Sequence, residues 1–281
     1  MALIRRGIHL DTHGVDDGAA VFGRLAEAAR AAEDAGFDAI SVPDHIYDPG
    51  GPTSPMFEAY TVLGALAAVT SSATLLTLAS PVTLRAPGLL AKAVTTLDVV
   101  SGGRAVLSVG VGWDVGEHEA YGIEFPGVGE RFERLEEELA ICRALFRDEQ
   151  ATFTGKFYAV RDAYNSPRPV RGFIPLLVAG NGEKRTLALA ARYGDACNVY
   201  GDPAEVRRKL DALDRHCERI GRDPAEVTRT VVEFDARDLG ALASSARALA
   251  AAGADGMIVA CPDDPARVAA IGRVLGESLP G

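Results

Sequence analysis

The sequence predicts a single (β/α)8 barrel over residues 1–281, and three observations carry that prediction. Short apolar segments typical of strands alternate with longer helical segments along the whole chain, and the strand–helix unit recurs eight times. The 281 residues, of which 48% are hydrophobic, suit one large core. The first strand is followed by Asp11-Thr12-His13-Gly14, whereas the rival open sheet typically has a G-x-G-x-x-G turn there.

The individual elements are predicted from the spacing of apolar residues and from the glycine and proline residues at their ends. In the first helix, Phe22, Leu25, Ala29 and Ala32 form one apolar stripe, which Gly36 ends. The predicted strands are Leu3–Leu10, Asp38–Pro43, Leu75–Ala79, Arg104–Val109, Ile174–Ala179, Ala196–Val199, Val227–Phe234 and Gly256–Ala260. The predicted helices are Asp17–Ala35, Met56–Val69, Pro87–Val100, Glu130–Phe146, a helix from Glu183 onward, Pro203–Ile220, Leu239–Ala252 and Pro265–Leu275.

Two segments do not fit the alternation. Trp113–Gly129 is polar and rich in glycine, and we predict a loop there. Thr152–Phe173 contains aromatic residues and prolines but has no helical period. We interpret this second segment as a hairpin and loop inserted after the fourth βα unit, at about residues 151–173.

Composition excludes several classes of function. The net charge is −10 and no segment is rich in lysine or arginine, so we expect neither nucleic acid nor an anionic membrane as a partner. No apolar run approaches the roughly 18 residues of a membrane span. The four cysteines lie far apart without a C-x-x-C pair, and His9 and His13 have no third ligand, so we predict no disulfide framework and no metal site. A cytoplasmic location is expected.

The turn after the fifth predicted strand is a candidate anion site. Gly180-Asn181-Gly182 follows the apolar run Ile174–Ala179, and Glu183 and Lys184 would begin the next helix. Free backbone N–H groups and the positive end of a helix dipole bind phosphate at such a position. The alternative is an ordinary βα turn in which glycine only provides conformational freedom.

Functional side chains of a barrel lie at the C-terminal ends of its strands. Asp44-His45 follows the second strand, and His45 is the best acid–base candidate, with Asp44 biasing its charge; the alternative is that His45 tethers the loop after it. Trp113 either walls a pocket for a planar ring or packs in the core. His9 either points into the mouth of the barrel or is a hydrogen-bonded core residue, while His118 and Glu119 are expected in solvent. No G-x-S-x-G motif is present, which favours a phosphorylated cofactor as carrier of the chemistry.

Stretches over nearly the whole chain resemble the luciferase-like flavin- or deazaflavin-dependent oxidoreductases. In the first half the matching segments are Ala35-Gly36-Phe37-Asp38, Pro43-Asp44-His45, Leu89-Leu90-Ala91-Lys92, Leu97-Asp98-Val99-Val100-Ser101-Gly102-Gly103-Arg104, Gly110-Val111-Gly112-Trp113, Glu117-His118, Tyr121-Gly122, Phe125-Pro126 and Arg131-Phe132-Glu133-Arg134-Leu135-Glu136-Glu137. Those that resemble the subgroup dependent on coenzyme F-420 are Gly180-Asn181-Gly182-Glu183-Lys184-Arg185-Thr186, Asp195-Ala196-Cys197-Asn198 and Arg215-His216-Cys217-Glu218-Arg219-Ile220-Gly221-Arg222-Asp223-Pro224.

The resemblance implies a cofactor that lies across the mouth of the barrel, with its phosphate at Gly180–Lys184 and its ring beside His45. It also implies a bulge under the ring with a non-prolyl cis peptide, which alignment places at Thr77-Leu78. The implied cofactor-binding residues are Asp44, Thr77, Leu78, Ala79, Gly112, Trp113, Gly180, Asn181, Gly182, Glu183 and Lys184. In the sugar-phosphate dehydrogenases of the family an acidic residue occupies the place of Trp113, so glucose-6-phosphate dehydrogenase activity is not expected.

The activity that the resemblance implies is hydride transfer between coenzyme F-420 and a small organic substrate. The first alternative is a monooxygenase that uses reduced FMN and O₂. The second is a non-catalytic flavin-binding barrel. The resemblance also implies a homodimer, because dimers are common in the family.

Overall fold

A nearly closed barrel of parallel strands forms the centre of the computed structural model, which describes residues 3–11, 18–51, 54–262 and 264–279. Its strands are β1 (Arg6–Asp11), β2 (Ala39–Val42), β3 (Thr74–Thr77), β4 (Ser80–Pro81), β5 (Leu107–Gly110), β8 (Leu176–Ala179), β9 (Ala196–Val199), β10 (Thr228–Glu233) and β11 (Gly256–Pro262). They are ordered β3-β2-β1-β11-β10-β9-β8-β5-β4 around the sheet. A parallel bridge joins Leu75 of β3 to Ala105, two residues before β5, and so brings the sheet round to a nearly closed ring. The short strand β4 continues the third unit after β3. The predicted barrel is confirmed.

Helices surround the barrel and bury their apolar faces against its outer surface. They are α1 (Gly18–Asp34), α2 (Ala59–Val69), α3 (Pro87–Val100), α4 (Val115–Tyr121), α5 (Val128–Arg147), α6 (Thr186–Tyr193), α7 (Pro203–Arg219), α8 (Leu239–Ala251) and α9 (Pro265–Ser278). Within the described ranges, none of these helices has both the length and the apolar character that crossing a membrane requires.

The inside of the barrel is apolar toward the N-terminal ends of its strands and partly polar at the mouth, where the strands end. A separate buried cluster of Ile4, Ala39, Leu76, Val106, Leu177, Ala196 and Ile258 occupies its lower part. Residues two positions further along a strand point to the same side. Ser41, Ala179 and Asn198 are therefore the mouth counterparts of Ala39, Leu177 and Ala196, and this alternation sets the chemistry of the site.

Some local predictions differ from the structure or lie outside its described residues. The segment Trp113–Gly129 contains α4, a helix too short to show an apolar period; Asp114 caps its N-terminus and Gly122, with φ of 66°, ends it. The helix predicted from Glu183 begins at Thr186. Of the predicted first helix, the residues before Gly18 lie outside the described residues, as do Thr12, His13 and Gly14.

A hairpin lies between α5 and β8 in the chain, within the segment predicted to hold one. Its strands are β6 (Ala151–Thr154) and β7 (Ala159–Ala163), and they pair antiparallel to each other, apart from the barrel. The side chain of Glu137 on α5 accepts hydrogen bonds from the backbone N–H groups of Lys156, Phe157 and Tyr158. This carboxylate fastens the hairpin turn to the helix.

Candidate functional site

A cavity of about 400 Å³ opens at the C-terminal ends of the barrel strands. Its lining includes the predicted residues His45, Leu78, Ala79, Gly112, Trp113, Gly180, Asn181 and Gly182. We call it the turn compartment, since residues 180–182 form one side. The barrel therefore brings together eight of the predicted site residues from four separate strand ends. Asp44, Thr77, Glu183 and Lys184 do not line this cavity.

His45 is held by a carboxylate that comes from the α4 segment. Its Nδ1 lies 3.2 Å from Oε2 and 3.3 Å from Oε1 of Glu117. Glu117 is fully buried and also accepts the backbone N–H of Ile46 at 2.7 Å. Asp114 in turn accepts the N–H of Glu117 at 3.1 Å, which sets the start of α4. With Nδ1 engaged, Nε2 of His45 has no protein partner among the described residues, in a side chain that lines the cavity.

This contact favours the protonated imidazole. Burial by itself lowers the pKa of His45, because a charged ring loses hydration. The hydrogen bond and negative charge of Glu117, with smaller contributions from Asp114 and Asp44, outweigh the burial and raise the pKa above its ordinary value. His45 is therefore suited to take up a proton from a bound molecule.

Asp44 contributes to the raised pKa of His45, as predicted, but its direct hydrogen-bond partner is not His45. Its two carboxylate oxygens accept hydrogen bonds from the guanidinium group of Arg85 at 2.6 and 2.9 Å. Oδ2 also accepts a hydrogen bond from the hydroxyl group of Ser80. Thr77, fully buried, donates to the carbonyl of Ser108 at 3.2 Å and contacts Ser80. Asp44 and Thr77 thus support the floor of the site from below and do not line it.

The non-prolyl cis peptide that the resemblance implied is present, one residue later than predicted. It joins Leu78 to Ala79, whereas alignment on Ser80-Pro81 had placed it at Thr77-Leu78. Both Leu78 and Ala79 line the cavity. The error arises because the interruption between β3 and β4 covers two residues, and an alignment does not reveal which of the adjoining bonds is cis.

The turn after β8 offers backbone donors to the cavity. The helix α6 begins without a side-chain cap, its N-cap being Arg185. The N–H groups of Asn181, Gly182 and Glu183 donate to no acceptor among the described residues, whereas the N–H of Gly180 is used by the carbonyl of Asn198. These N–H groups lie in the turn that precedes α6, and unused N–H groups close to a helix N-terminus attract an anion. A Cβ at Gly182 would lie 2.6 Å from Oγ1 of Thr186, so glycine is required for the turn to pack this closely.

The side chains of the turn point elsewhere. The amide of Asn181 is engaged by the backbone of Tyr200, donating to its carbonyl and accepting its N–H, both at 2.9 Å. Glu183 pairs with Arg208 at 2.7 Å, a contact that lowers the pKa of the carboxyl group, and its carbonyl accepts from His216. Lys184 is exposed. Glu183 and Lys184 do not line the cavity, because the helix starts three residues later than expected. Their contact with the cofactor stays a prediction, for which the unused backbone N–H of Glu183 is the available donor.

Trp113 forms a wall of the cavity and is not a core residue. Its side chain is 68% exposed, and its ring packs edge-on against His45 with centroids 5.4 Å apart. This settles the two interpretations of Trp113 in favour of the pocket wall.

Comparison with known proteins identifies the family to which this barrel belongs. The sequence profile described as luciferase-like monooxygenase matches residues 3–234. The chain belongs to the luciferase-like monooxygenase family. It is 33% identical to an F420-dependent glucose-6-phosphate dehydrogenase of Kineococcus radiotolerans over 213 residues, which cover 74% of this chain and 62% of the relative. The chain thus spans about three-fifths of the length of that relative.

Two solved structures of similar shape share the fold. One is an F420-dependent secondary alcohol dehydrogenase in complex with an F420-acetone adduct, with a TM-score of 0.83, 18% identity and 99% of each chain covered. The other is the coenzyme F420-dependent tetrahydromethanopterin reductase of Methanopyrus kandleri, with a TM-score of 0.83, 16% identity and the same coverage. At these identities the likeness concerns the barrel alone.

In this luciferase-like barrel, the α4 segment has a role that was not predicted from the sequence. His118 was expected in solvent, yet it is fully buried: its ring nitrogens lie 2.6 Å from the carbonyl of Asp114 and 2.6 Å from Oγ1 of Thr83. Glu117, the partner of His45, was not given a role. The spacing Asp114-x-x-Glu117 resembles a capping box and could have revealed the helix that buries both residues.

A second cavity of the luciferase-like barrel, about 600 Å³, adjoins the turn compartment. The two share His9, His45, Leu78, Trp113, Tyr200 and Phe234. Asp11 and Asp48 line only the second cavity, which we call the acidic compartment. His9 is both a hydrogen-bonded core residue and a residue of the barrel mouth. Its side chain is 8% exposed and its Nδ1 lies 2.9 Å from Oγ of Ser41, and it still lines both cavities.

Proposed function

We propose that the chain is a coenzyme F-420-dependent oxidoreductase that interconverts a small alcohol and the corresponding carbonyl compound. The observation that carries the proposal is the pairing of His45 with the buried Glu117, which leaves Nε2 available in a cavity bordered by an uncapped helix N-terminus. A proton acceptor and an anion site in one cavity are what hydride transfer with a phosphorylated carrier requires.

The residues present fit such a carrier. Unused N–H groups at Asn181 and Gly182 suit the phosphate, and Gly182 leaves no side chain in the way. Leu78, Ala79 and Trp113 provide an apolar floor and wall for a planar ring. The names of the F420-dependent dehydrogenase relative and of the two F420 enzymes with the same fold add support.

The bound deazaflavin would supply a carbon that accepts hydride from the substrate and returns it in the reverse direction. Nε2 of His45 accepts the hydroxyl proton of the alcohol during oxidation and donates it to the carbonyl oxygen during reduction. Glu117 stabilises the imidazolium that forms, in the manner of a carboxylate that orients a catalytic histidine. Trp113 excludes water from one side of the reacting atoms.

A monooxygenase that uses reduced FMN and O₂ is the alternative that the family description favours. The name of the F420-dependent dehydrogenase relative favours the hydride-transfer proposal over this alternative. A barrel that only stores flavin has no need for a buried carboxylate behind His45.

Titration of the apo-protein with coenzyme F-420 and with FMN tests the proposal. Trp113 is the only tryptophan and lines the cavity, so its fluorescence reports binding of either ring directly. We expect coenzyme F-420 to bind and to be reduced by a panel of alcohols. Tight binding of FMN without binding of coenzyme F-420 would overturn the proposal. Binding of coenzyme F-420 without turnover of any alcohol or carbonyl compound would indicate a storage protein instead.

A homodimer and a cytoplasmic location are proposed from the resemblance alone. Light scattering on the purified chain tests the first, because a monomer at micromolar concentration would contradict it. Cell fractionation tests the second.

A further inference from the structure

Glu138 on α5 is a fully buried carboxyl group without a hydrogen-bond partner. Neither Oε1 nor Oε2 makes a hydrogen bond to any part of the chain that the structure describes. The two preceding glutamates of the helix differ, since Glu136 pairs with Arg192 and Glu137 fastens the hairpin turn. A buried carboxylate needs hydrogen bonds or a cation to replace its lost hydration, and otherwise it binds a proton. The surroundings of Glu138 therefore favour the neutral acid.

The start of α3 and the loop before it lie against this part of α5. Cys142, one turn further along α5, donates from Sγ to the carbonyl of Pro87, the first residue of α3, at 3.6 Å. Two charged groups act on Glu138 from this side. Burial raises the pKa of Glu138 most, the positive charge of Arg85 lowers it, and the negative charge of Asp44 raises it. The net effect raises the pKa from 4.5 to about 8.

The other titratable groups near Glu138 offer it no cation. The pKa values of Cys142 and of Tyr158 in the hairpin turn are raised, first by burial and then by the negative charge of Glu138, so both groups stay neutral. The charged side chains on the elements packed against α5 have contacts of their own: Lys92 with the Ser166 carbonyl, Asp98 with the Val170 N–H, Lys156 with Glu133, Arg185 with the Phe132 ring and Arg192 with Glu136. Arg85 is therefore the cation that an ionised Glu138 would attract.

Arg85 already serves two carboxylates. Its guanidinium group donates to both oxygens of Asp44, at 2.6 and 2.9 Å, and to Oε1 of Glu58 at 2.5 Å. These three side chains, which we call the Arg85 cluster, carry one positive and two negative charges. A third carboxylate at Glu138 would compete with Asp44 for the same guanidinium group. Because Asp44 immediately precedes His45, this competition would reach the segment that carries the proton acceptor.

We propose that Glu138 is held as a neutral carboxylic acid and so leaves Arg85 bound to Asp44, which makes Glu138 a positioning residue for the segment that carries His45. The effect on catalysis rests on the proposed function, whereas the neutral state and its effect on Arg85 do not. In alkaline solution Glu138 would release its proton to solvent, and the new carboxylate would draw Arg85 away from Asp44. The floor of the site would then loosen and the reaction would slow.

Infrared spectroscopy of the apo-protein measures the protonation state of Glu138 directly. We expect the C=O stretching band of a protonated carboxyl group at neutral pH, and its loss above about pH 8. Glu138→Gln and Glu138→Met place neutral groups of similar length there and should lack this band. Glu149→Gln, which removes an exposed carboxyl group just after α5, is the control and should retain it. A wild type without the band, or a band that persists in the Glu138 variants, would overturn the inference.

The unfolding equilibrium provides a second measure of the same proton. The unfolded chain releases it near pH 4.5 and the folded chain near pH 8, so the wild type should lose stability relative to Glu138→Gln as pH rises between these values. The ratio of the two unfolding constants should change by about tenfold per pH unit in this range. Parallel stability profiles of the wild type and both Glu138 variants would contradict a neutral Glu138.

NMR of the Arg85 guanidinium group tests the positioning role without any cofactor. Arg85 itself stays protonated, so its resonances report a change in its surroundings. In the wild type they should shift with a midpoint near pH 8, and in Glu138→Gln and Glu138→Met they should not. A shift of the same size in the variants, or none in the wild type, would overturn the positioning role.

Alcohol oxidation then connects the inference to the reaction. His45 as proton acceptor limits this direction on the acid side, so an alkaline loss of rate has a different origin. The ratio of kcat in alkaline solution to kcat at neutral pH should be higher in Glu138→Gln than in the wild type. An identical ratio would show that Arg85 does not transmit the charge to the site. If the wild type oxidises no alcohol, the proposed function fails, and the infrared and NMR results still decide the state of Glu138.

Discussion

His45 and Glu117 lie 72 residues apart in the chain, and in the structure Nδ1 of the histidine is 3.2 Å from Oε2 of the glutamate. The carboxylate is fully buried, so it interacts strongly with the ring and is little screened by solvent. This contact raises the pKa of His45 against the opposing effect of burial. Removing the charge while keeping the shape of Glu117 should therefore change the protonation of His45 and the chemistry that depends on it.

The first prediction concerns Glu117→Gln. Loss of the negative charge should lower the pKa of His45, so the acidic limb of the pH profile for alcohol oxidation should move to lower pH. Because the imidazolium is less stabilised, kcat should fall by about tenfold or more. The pH profile of kcat/KM and the NMR titration of His45 measure both effects. Glu119→Gln, an exposed neighbour on α4, is the matched control; an unmoved profile in Glu117→Gln would contradict the role assigned here.

The same pair contributes to stability in a direction that the pKa determines. A histidine whose pKa is raised on folding stabilises the fold below its unfolded pKa, and that contribution is lost as pH rises through the folded value. The difference in unfolding free energy between wild type and Glu117→Gln should therefore shrink as pH rises above the histidine range. Urea denaturation at a series of pH values measures it. A difference that grew with pH would mean that other contacts of Glu117, such as that with Ile46, dominate.

The second prediction concerns the turn at Gly182. In Gly182→Ala the new Cβ would lie 2.6 Å from Oγ1 of Thr186, and the turn must shift to relieve the contact. The unused N–H groups would then no longer converge, and affinity for the phosphorylated cofactor should fall by about tenfold or more. Gly182→Asp should weaken binding further by placing charge against phosphate. The control is Gly88→Ala on α3, where a Cβ meets nothing within 4 Å; equal affinities in Gly182→Ala and Gly88→Ala would place the phosphate elsewhere.

The third prediction concerns the wall that Trp113 forms. Trp113→Ala removes a flat apolar surface beside His45, so substrate and cofactor should bind less tightly and KM should rise by roughly tenfold. Trp113→Phe keeps an aromatic wall and should restore most of the loss. Because Trp113 is the only tryptophan, binding to these variants is followed by cofactor fluorescence. If KM were unchanged in the alanine variant, Trp113 would not contact the ligand.

The fourth prediction concerns a carboxylate far from the cavity. Glu33 on α1 accepts the backbone N–H groups of Ser71, Ser72 and Ala73. Burial by itself raises the pKa of this group, but the three N–H donors outweigh it and lower the pKa from 4.5 to about 2. Its stabilisation is therefore present above about pH 4.5 and lost as pH falls toward about 2.

Glu33→Gln should lower the free energy of unfolding at neutral pH by roughly 1 kcal/mol, a value discounted for solvent screening at a half-buried group. The deficit should disappear in acid. Denaturant unfolding of the variant and of Glu27→Gln, an exposed carboxylate on the same helix, measures the difference. A pH-independent deficit would show that packing, and not charge, accounts for the loss.

Local features of the fold were predictable because they depend on neighbours in the chain. The bounds of the helix Pro87–Val100 and of the strand Ala196–Val199 coincide with their predicted bounds, since periodicity and the residues at their ends act locally. The turn at Gly180-Asn181-Gly182 was located for the same reason. The helix α4 was missed because seven residues are too few to show a period, and Glu117 was missed with it.

The alternation of strands and helices, and hence the barrel, follows from local sequence patterns, as do the strand ends that carry His45, Trp113 and the glycine turn. The hydrogen-bond partners follow only from the folded chain: Glu117 for His45, Arg85 for Asp44, and Tyr200 for Asn181. Periodicity reports which face a residue occupies, whereas a hydrogen bond requires two atoms within about 3 Å. That distance is set when the strands close into the barrel, and no local pattern in the chain encodes it.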